Sequence, residues 1–374
     1  MKTAVTLLVF CVASLLALGM VMLYSAGMEK AGARYLMMQL VWCVMGVVIC
    51  VTMVTVDYRL LRKFAWPIFI VAIVLLALVL IPHFGTKVKG ARRWLAYGGF
   101  RFQASELGKL ALIILLAWYG EHFQRQMHTW KKGIMIPGIF IAITLGLIFV
   151  EPDRGTTILM GAVSAAMLLI AGVRWKFIVP PAVAALVALG VSLFNDPMRR
   201  HRIFSWLYLE ENKQGTGYQA YQAMVALGAG GWNGLGLGNG RQKLGWVPEH
   251  HTDFILSVIG EELGLVATLL IIGAFVMIVI CGLYIAVNAP DTFGMLLGCG
   301  ISFLIGLQAF INIGVVTSAL PNKGLPLPFI SYGGSNLVAC LFGVGLLLNI
   351  YRQAVLEPSN KKRTSLQVRA TPRI

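Results

Sequence analysis

Arg92 and Arg93 stand directly before Trp94 in the run Gly90-Ala91-Arg92-Arg93-Trp94-Leu95. Guanidinium groups can hold phosphate oxygens two at a time, and a neighbouring tryptophan anchors a loop at a membrane interface. A little further on, Glu106 and Lys109 are spaced i, i+3, which places them on one helix face. Charges that far inside an apolar segment face a cavity or each other. The pair therefore reads equally as an anion site or as a buried structural ion pair. A third constellation, Glu151-Pro152-Asp153-Arg154-Gly155-Thr156-Thr157, puts two carboxylates and an arginine where proline breaks a helix. Irregular polar backbone at membrane depth lines cavities. The simpler alternative is a tight turn in which Asp153 caps the next helix.

The long polar stretch 195–252 holds the next candidates. Residues 216–228 read as a short amphipathic helix at the membrane interface. The run from Gly230 to Gly240 is too glycine-rich for helix and suits close backbone approach to a ligand. It opens no βαβ unit, so a nucleotide-binding fingerprint is rejected. Arg241, Lys243 and Glu249 follow, then Asp253 at or near the first turn of an apolar helix. There the macrodipole favours the charged carboxylate and burial opposes it, while Thr252 or Asp253 as a plain N-cap is the structural alternative. His250 and His251 point apart and make a poor metal pair. The last stretch, Pro321 to Asn336, contains Lys323 and Ser331 and has three prolines and three glycines, which exclude helix. It reads as a rigid loop over a cavity mouth.

These groups need elements to position them. The 374 residues are 58% hydrophobic and 12% charged, against about 25% charged in a soluble domain. That excludes a soluble enzyme, a disordered chain and a nucleic-acid-binding domain in water. Long apolar runs satisfy their backbone in lipid only as helices. Ten are marked, at about 4–24, 36–56, 64–82, 106–122, 133–150, 155–172, 177–194, 253–284, 294–317 and 335–351. The expected fold is an all-α polytopic membrane protein: ten transmembrane helices in a domain spanning 1–352, a large extracytoplasmic loop at 195–252 with its short interfacial helix, and a basic, disordered cytoplasmic tail over 353–374. The first helix is read as retained rather than cleaved. The six cysteines lie in apolar runs without a CxxC partner and read as small buried hydrophobes.

Lys+Arg outnumber Asp+Glu by 31 to 15. The short loops on the side of the termini carry cations and few acids, which orients both termini in the cytoplasm. The opposite side carries as many cations, which that rule does not explain. An anionic ligand, a partner or anionic headgroups would.

Taken together and in order, these stretches resemble the SEDS family of shape, elongation, division and sporulation proteins, over about residues 5–352. The most specific parts are Arg241 to Phe254 and Pro321 to Ser335, and Gly238-Asn239-Gly240-Arg241-Gln242-Lys243-Leu244 is more similar to the FtsW division type, or its sporulation relative, than to the RodA elongation type. The resemblance implies a peptidoglycan glycosyltransferase that polymerises lipid II into glycan strands at the outer face of the bacterial inner membrane, in cell division at the septum. Its partners would be a class B penicillin-binding protein and other divisome proteins. It implies Asp253 as the catalytic residue, and it maps the family's motifs onto Arg93 and Trp94, Glu106 and Lys109, and Pro152 and Asp153. Departures are Glu151 for glutamine, Arg154 for an apolar residue, Gly240 and Asn336 for serine, and Asn322 for threonine. Glu151 and Arg154 can pair with each other.

In the implied reaction a sugar hydroxyl attacks an anomeric carbon and a diphosphate leaves. The hydroxyl benefits from a base, and the leaving group needs cations or a divalent ion rather than an acid. Asp253 is the expected base, and Arg93, Lys109 and Arg241 are candidate diphosphate contacts. Glu106 would hold Lys109, and Trp94, Lys243, Glu249, Asp153, Lys323 and Ser331 complete the substrate-binding candidates. No cofactor is required by this scheme; the alternative is magnesium or manganese shared by Glu249, Asp153 and Asp253. Two rival functions stay open: a lipid II flippase or transporter, and a non-catalytic scaffold of the cell-wall machinery.

Overall fold

A helix that is apolar on every side belongs inside a bundle, and one with a narrow inward stripe belongs at its rim. In the computed structural model both kinds occur. It describes residues 1–27, 34–82, 84–88, 91–97, 100–215, 217–243, 245–246 and 251–370. The helices are α1 (Lys2–Gly27), α2 (Arg34–Thr55), α3 (Arg59–Lys63), α4 (Ala65–Leu80), α5 (Ala104–His122), α6 (Ile136–Val150), α7 (Arg154–Ile170), α8 (Trp175–Phe194), α9 (Pro197–Leu207), α10 (Tyr218–Gly230), α11 (Ile255–Val287), α12 (Thr292–Val316) and α13 (Gly334–Ala370). Each of the ten apolar segments contains one of them.

The interior helix is α5. It is buried from Ala104 to Ala117 save for Leu107, and it packs between α4 and α12, with α7 alongside. At the rim, α2 buries only Gln39, Trp42 and Gly46 and lies along α13. Seven helical segments among the described residues are long and apolar enough to cross a membrane, and α4 and α7 are shorter apolar helices. The six cysteines carry free thiols and sit buried or half-buried.

Three features depart from the expected pattern. The 83–105 connection contains a three-stranded antiparallel sheet, β1 (Gly85–Val88), β2 (Ala91–Tyr97) and β3 (Phe100–Gln103), in the order β1-β2-β3. Its register sets Thr86 and Gln103 opposite Trp94. Alternation along β2 then sends Arg93 and Trp94 to opposite faces. The signal is the apolar-polar alternation of Phe100-Arg101-Phe102-Gln103, which charge-centred reading passes over.

The second departure is α10. Ala220, Ala223 and Ala226 are buried along one face and let the helix pack closely on α11. The third is at the C-terminus, where the helical backbone runs on to Ala370 instead of ending near 352. The Lys- and Arg-rich residues there are good helix formers, while Pro358 opposes the run by removing a backbone hydrogen bond and crowding the preceding turn.

Candidate functional site

Asp253 lies in a turn just before α11, whose first residue is Ile255. The N-cap position is Phe254, so neither Thr252 nor Asp253 occupies it. The turn is instead tied to the proline-rich loop. Ser331 Oγ donates to the Thr252 carbonyl at 2.6 Å and accepts from the Leu327 N–H at 2.8 Å. The Tyr332 N–H donates to the His251 carbonyl at 2.9 Å. Asn312 on α12 donates through Nδ2 to the carbonyls of Asp253 (2.8 Å) and Leu325 (2.7 Å), joining the two segments. On the other side His251 stacks on Tyr35 of α2 at 4.4 Å between centroids, and Gln39 donates to the Ser331 carbonyl. The backbone that carries Asp253 is thus held from α2, α12 and the loop.

The Asp253 side chain is half-buried and lies against Gly324: a methyl added there would sit 2.7 Å from Asp253 Oδ2. The neighbouring Lys323 is also half-buried, and burial pulls its amine below its ordinary value. Ser331 is buried and acts on backbone, so its contacts here are those of a brace.

Beneath this loop lies the α5 pair. Lys109 Nζ is 2.9 Å from Glu106 Oε2, an ion pair without the angle of a directed hydrogen bond. Lys109 also donates to Gln308 Oε1 at 3.1 Å. Gln308 in turn donates to the Pro326 carbonyl and to Asn336 Oδ1, both at 2.9 Å. Gln308 and Asn312 are i, i+4 on α12, so one helix face connects Lys109 to the backbone of Asp253. Both were missed as site residues by charge-centred reading. Their signal was two amides at helical spacing in an apolar span.

Arg93 and Asp153 form a second cluster. Arg93 donates from Nε to the Glu151 carbonyl (2.9 Å) and from Nη2 to that of Pro152 (2.7 Å), and Nη1 lies 3.8 Å from Asp153 Oδ2. Asp153 caps α7 by accepting from the Thr156 N–H at 3.1 Å, and Gln103 donates to its other oxygen at 3.4 Å. The sheet therefore clamps the α6–α7 turn. Trp94 is half-buried behind it.

Glu151 and Arg154 do not pair, contrary to the expectation from their spacing. Both Glu151 carboxylate oxygens are buried without a hydrogen-bond partner, and Arg154 lies over the Phe149 ring at 4.6 Å. Helix geometry after the Pro152 turn sends the two side chains to different surroundings. Burial, then the charge of Asp153, push the Glu151 carboxyl up from 4.5 to about 8, with Arg93 opposing. Glu151 holds its proton more tightly folded than unfolded. Stability is therefore expected to fall as pH rises from about 4.5 through about 8, by up to about 3 kcal/mol at neutral pH. Glu151→Gln should flatten that slope, as read from thermal unfolding midpoints between pH 5 and 9.

Arg241 and Lys243 belong to a third cluster, on the glycine-rich loop. Arg241 is exposed, while Lys243 is buried and paired with Glu262. The close approach its glycines permit is to α11: Gly264 takes φ 77° and breaks that helix, and the loop docks at the break through Leu235 N–H to Glu261 O (3.0 Å) and Gly236 N–H to Glu262 O (2.9 Å). Glu249 and His250 lie outside the described residues. Among the described residues no three His, Cys, Asp or Glu side chains gather as a metal-holding group.

Residues 5–355 match the family described as Cell cycle protein, FtsW/RodA/SpoVE. The chain belongs to the FtsW/RodA/SpoVE family. This FtsW/RodA/SpoVE chain is 42% identical to a probable peptidoglycan glycosyltransferase FtsW of Trichlorobacter lovleyi, over 95% of each chain. It is also 42% identical to one from Geobacter metallireducens, over 89% of this chain and 90% of the relative. The crystal structure of the rod shape determining protein RodA of Thermus thermophilus matches with a TM-score of 0.71 at 28% identity, over 93% of this chain and 96% of that one. A chain of a peptidoglycan synthase complex, solved in a study of how polymerization and crosslinking are coordinated, matches with a TM-score of 0.79 at 28% identity, over 93% and 97%. With its apolar helices, this FtsW/RodA/SpoVE protein is a multi-pass membrane protein.

Proposed function

We propose that this protein is a peptidoglycan glycosyltransferase of the FtsW type, polymerising lipid II at the outer face of the bacterial inner membrane in cell division. The observation that carries the reading is the Asp253 turn: a half-buried carboxylate whose backbone is braced by Asn312 and Ser331 and whose side chain lies against Gly324, next to Lys323. In the reaction, the 4-hydroxyl oxygen of one saccharide forms a bond to the anomeric carbon of the other. The bond from that carbon to the diphosphate oxygen breaks, undecaprenyl diphosphate leaves, and the hydroxyl proton passes to Asp253. The reaction needs one base, and cations to receive the developing diphosphate charge. Among the described residues, Lys323, beside Gly324, and the exposed Arg241 are candidate cations for that role that would give up no structural side-chain bond. Lys109, Arg93 and Lys243 already hold protein partners, so a part for them in binding requires exchange of those partners.

The same reading takes the ten apolar helices as ten crossings with both termini in the cytoplasm, α10 near the interface, and a class B penicillin-binding protein as the crosslinking partner. The synthase complex, in which polymerization and crosslinking are coordinated, supports the crosslinking partner. A divalent cation, magnesium or manganese, would add charge stabilisation at the diphosphate. Of the carboxylates considered for it, Asp153 is engaged in its cap and with Arg93, which leaves Asp253 as the candidate ligand.

The test is reconstitution of the full chain with lipid II and its transpeptidase partner. Glycan polymer is the expected product. Headgroup translocation without polymer would favour the transporter, and polymerisation dependent on neither Asp253 nor Arg241 would favour a scaffold. A finer test is Gly324→Ala. Its methyl would displace the Asp253 carboxylate, and a misplacement of about 1 Å costs on the order of 10²-fold in rate. Gly324 is exposed, so the unfolding midpoint should stay at its wild-type value while polymerisation falls.

A further inference from the structure

The helix that leaves Asp253 carries two adjacent buried carboxylates, Glu261 and Glu262, that the reaction above does not use. Buried charges persist only where their lone pairs are met. Glu262 Oε1 lies 2.6 Å from Lys243 Nζ, Ser25 Oγ lies 2.8 Å from each of the two oxygens, and the Gly238 N–H donates to Oε2 at 3.0 Å. Lys243 also donates to Ser25 Oγ at 2.8 Å and to the Gly238 carbonyl at 2.9 Å, which fills its three donors. Glu261 accepts from the N–H of Arg241 at 2.8 Å and of Gln242 at 3.1 Å. Ser25 stands near the end of α1, so three distant parts of the chain meet here. Nearly every bond to the loop is to its backbone. The path of residues 238–242 is therefore fixed, while the guanidinium of Arg241 stays exposed.

We propose that Glu261 and Glu262 are positioning residues: their carboxylates, with Lys243 and Ser25, clamp the backbone of 238–242 so that Arg241 is presented at one place to the diphosphate of the lipid-linked donor. The assignment of that ligand rests on the proposed function. The clamp itself is a property of the loop.

The experiment uses the full chain in proteoliposomes. Lys243→Met combined with Glu262→Gln removes both charges of the buried pair at once and strands neither, so folding is kept. In that variant the amide of Gly238, and in Glu261→Leu those of Arg241 and Gln242, are expected to exchange with deuterium about tenfold faster or more, with the rest of α11 unchanged. The KM for lipid II should rise about tenfold with kcat little altered, and adding Arg241→Ala should raise it no further than Arg241→Ala alone. Glu261→Gln, which keeps an oxygen facing the Arg241 N–H, should retain the wild-type KM, and Glu261→Leu should not. Unchanged exchange would overturn the clamp. Effects that multiply with Arg241→Ala would overturn the route through Arg241. A wild-type protein that makes no polymer would sink the functional reading, and the exchange result would still decide the clamp.

Discussion

Asp253→Asn is expected to lower glycan polymerisation by about 10²–10⁴-fold, the usual worth of a positioned general base. Asparagine has the shape of aspartate, so the contact with Gly324 and the backbone bonds from Asn312 and to the neighbouring Thr252 carbonyl all survive. The substitution removes the carboxylate's charge and its proton acceptance while keeping the shape of the side chain. Unfolding midpoint and capture of the transpeptidase should match wild type, which separates loss of chemistry from loss of fold. Asp253→Glu is a second probe: its extra methylene drives the carboxylate toward Gly324, so it should recover part of the rate at most. Full polymerisation by a folded Asp253→Asn protein would remove this carboxylate from the mechanism and return Asp253 to a structural part.

Much of this arrangement was legible in the residues, and what was not has definite causes. Helix existence followed from apolar run length, because lipid leaves the backbone no other way to satisfy itself. Glu106 and Lys109 were readable as a pair from i, i+3 spacing alone, and Asp153 as a cap from its place after Pro152. The partners of those groups were not readable. Gln308, Asn312 and Ser25 are neutral polar residues in apolar runs, and only tertiary packing shows that Gln308 meets Lys109 and Ser25 meets Glu262. Glu261 and Glu262 stand in an apolar helix, where two adjacent charges demand partners, but no local pattern shows that those partners lie on the glycine-rich loop and α1. The glycine-rich loop is suited by its sequence to close approach to a ligand, but the surface it approaches in the structure is the break of α11 at Gly264, a long-range contact no local pattern encodes.

Lys109→Met carries the largest expected stability effect. Removing one partner of a buried pair leaves the other uncompensated, at a cost of about 3–5 kcal/mol. Glu106 and Lys109 are both almost wholly shielded, with side-chain exposures of 5% and 2%, so little solvent screening softens that cost. Gln308 would also lose the donor to its Oε1 and with it part of its hold on the Pro326 carbonyl, loosening the loop over Asp253. Glu106→Gln together with Lys109→Met removes both charges and should recover most of the lost stability, because a neutral pair of similar volume strands nothing. This double variant also separates the two readings left open by spacing. If the pair is purely structural, the restored protein polymerises at nearly the wild-type rate once the loop is again held. If Lys109 swings to the diphosphate during the reaction, the protein regains its unfolding midpoint while kcat/KM stays low. Unfolding midpoints and lipid II kinetics on the two singles and the double decide between them, since the coupling in stability and the coupling in rate need not agree.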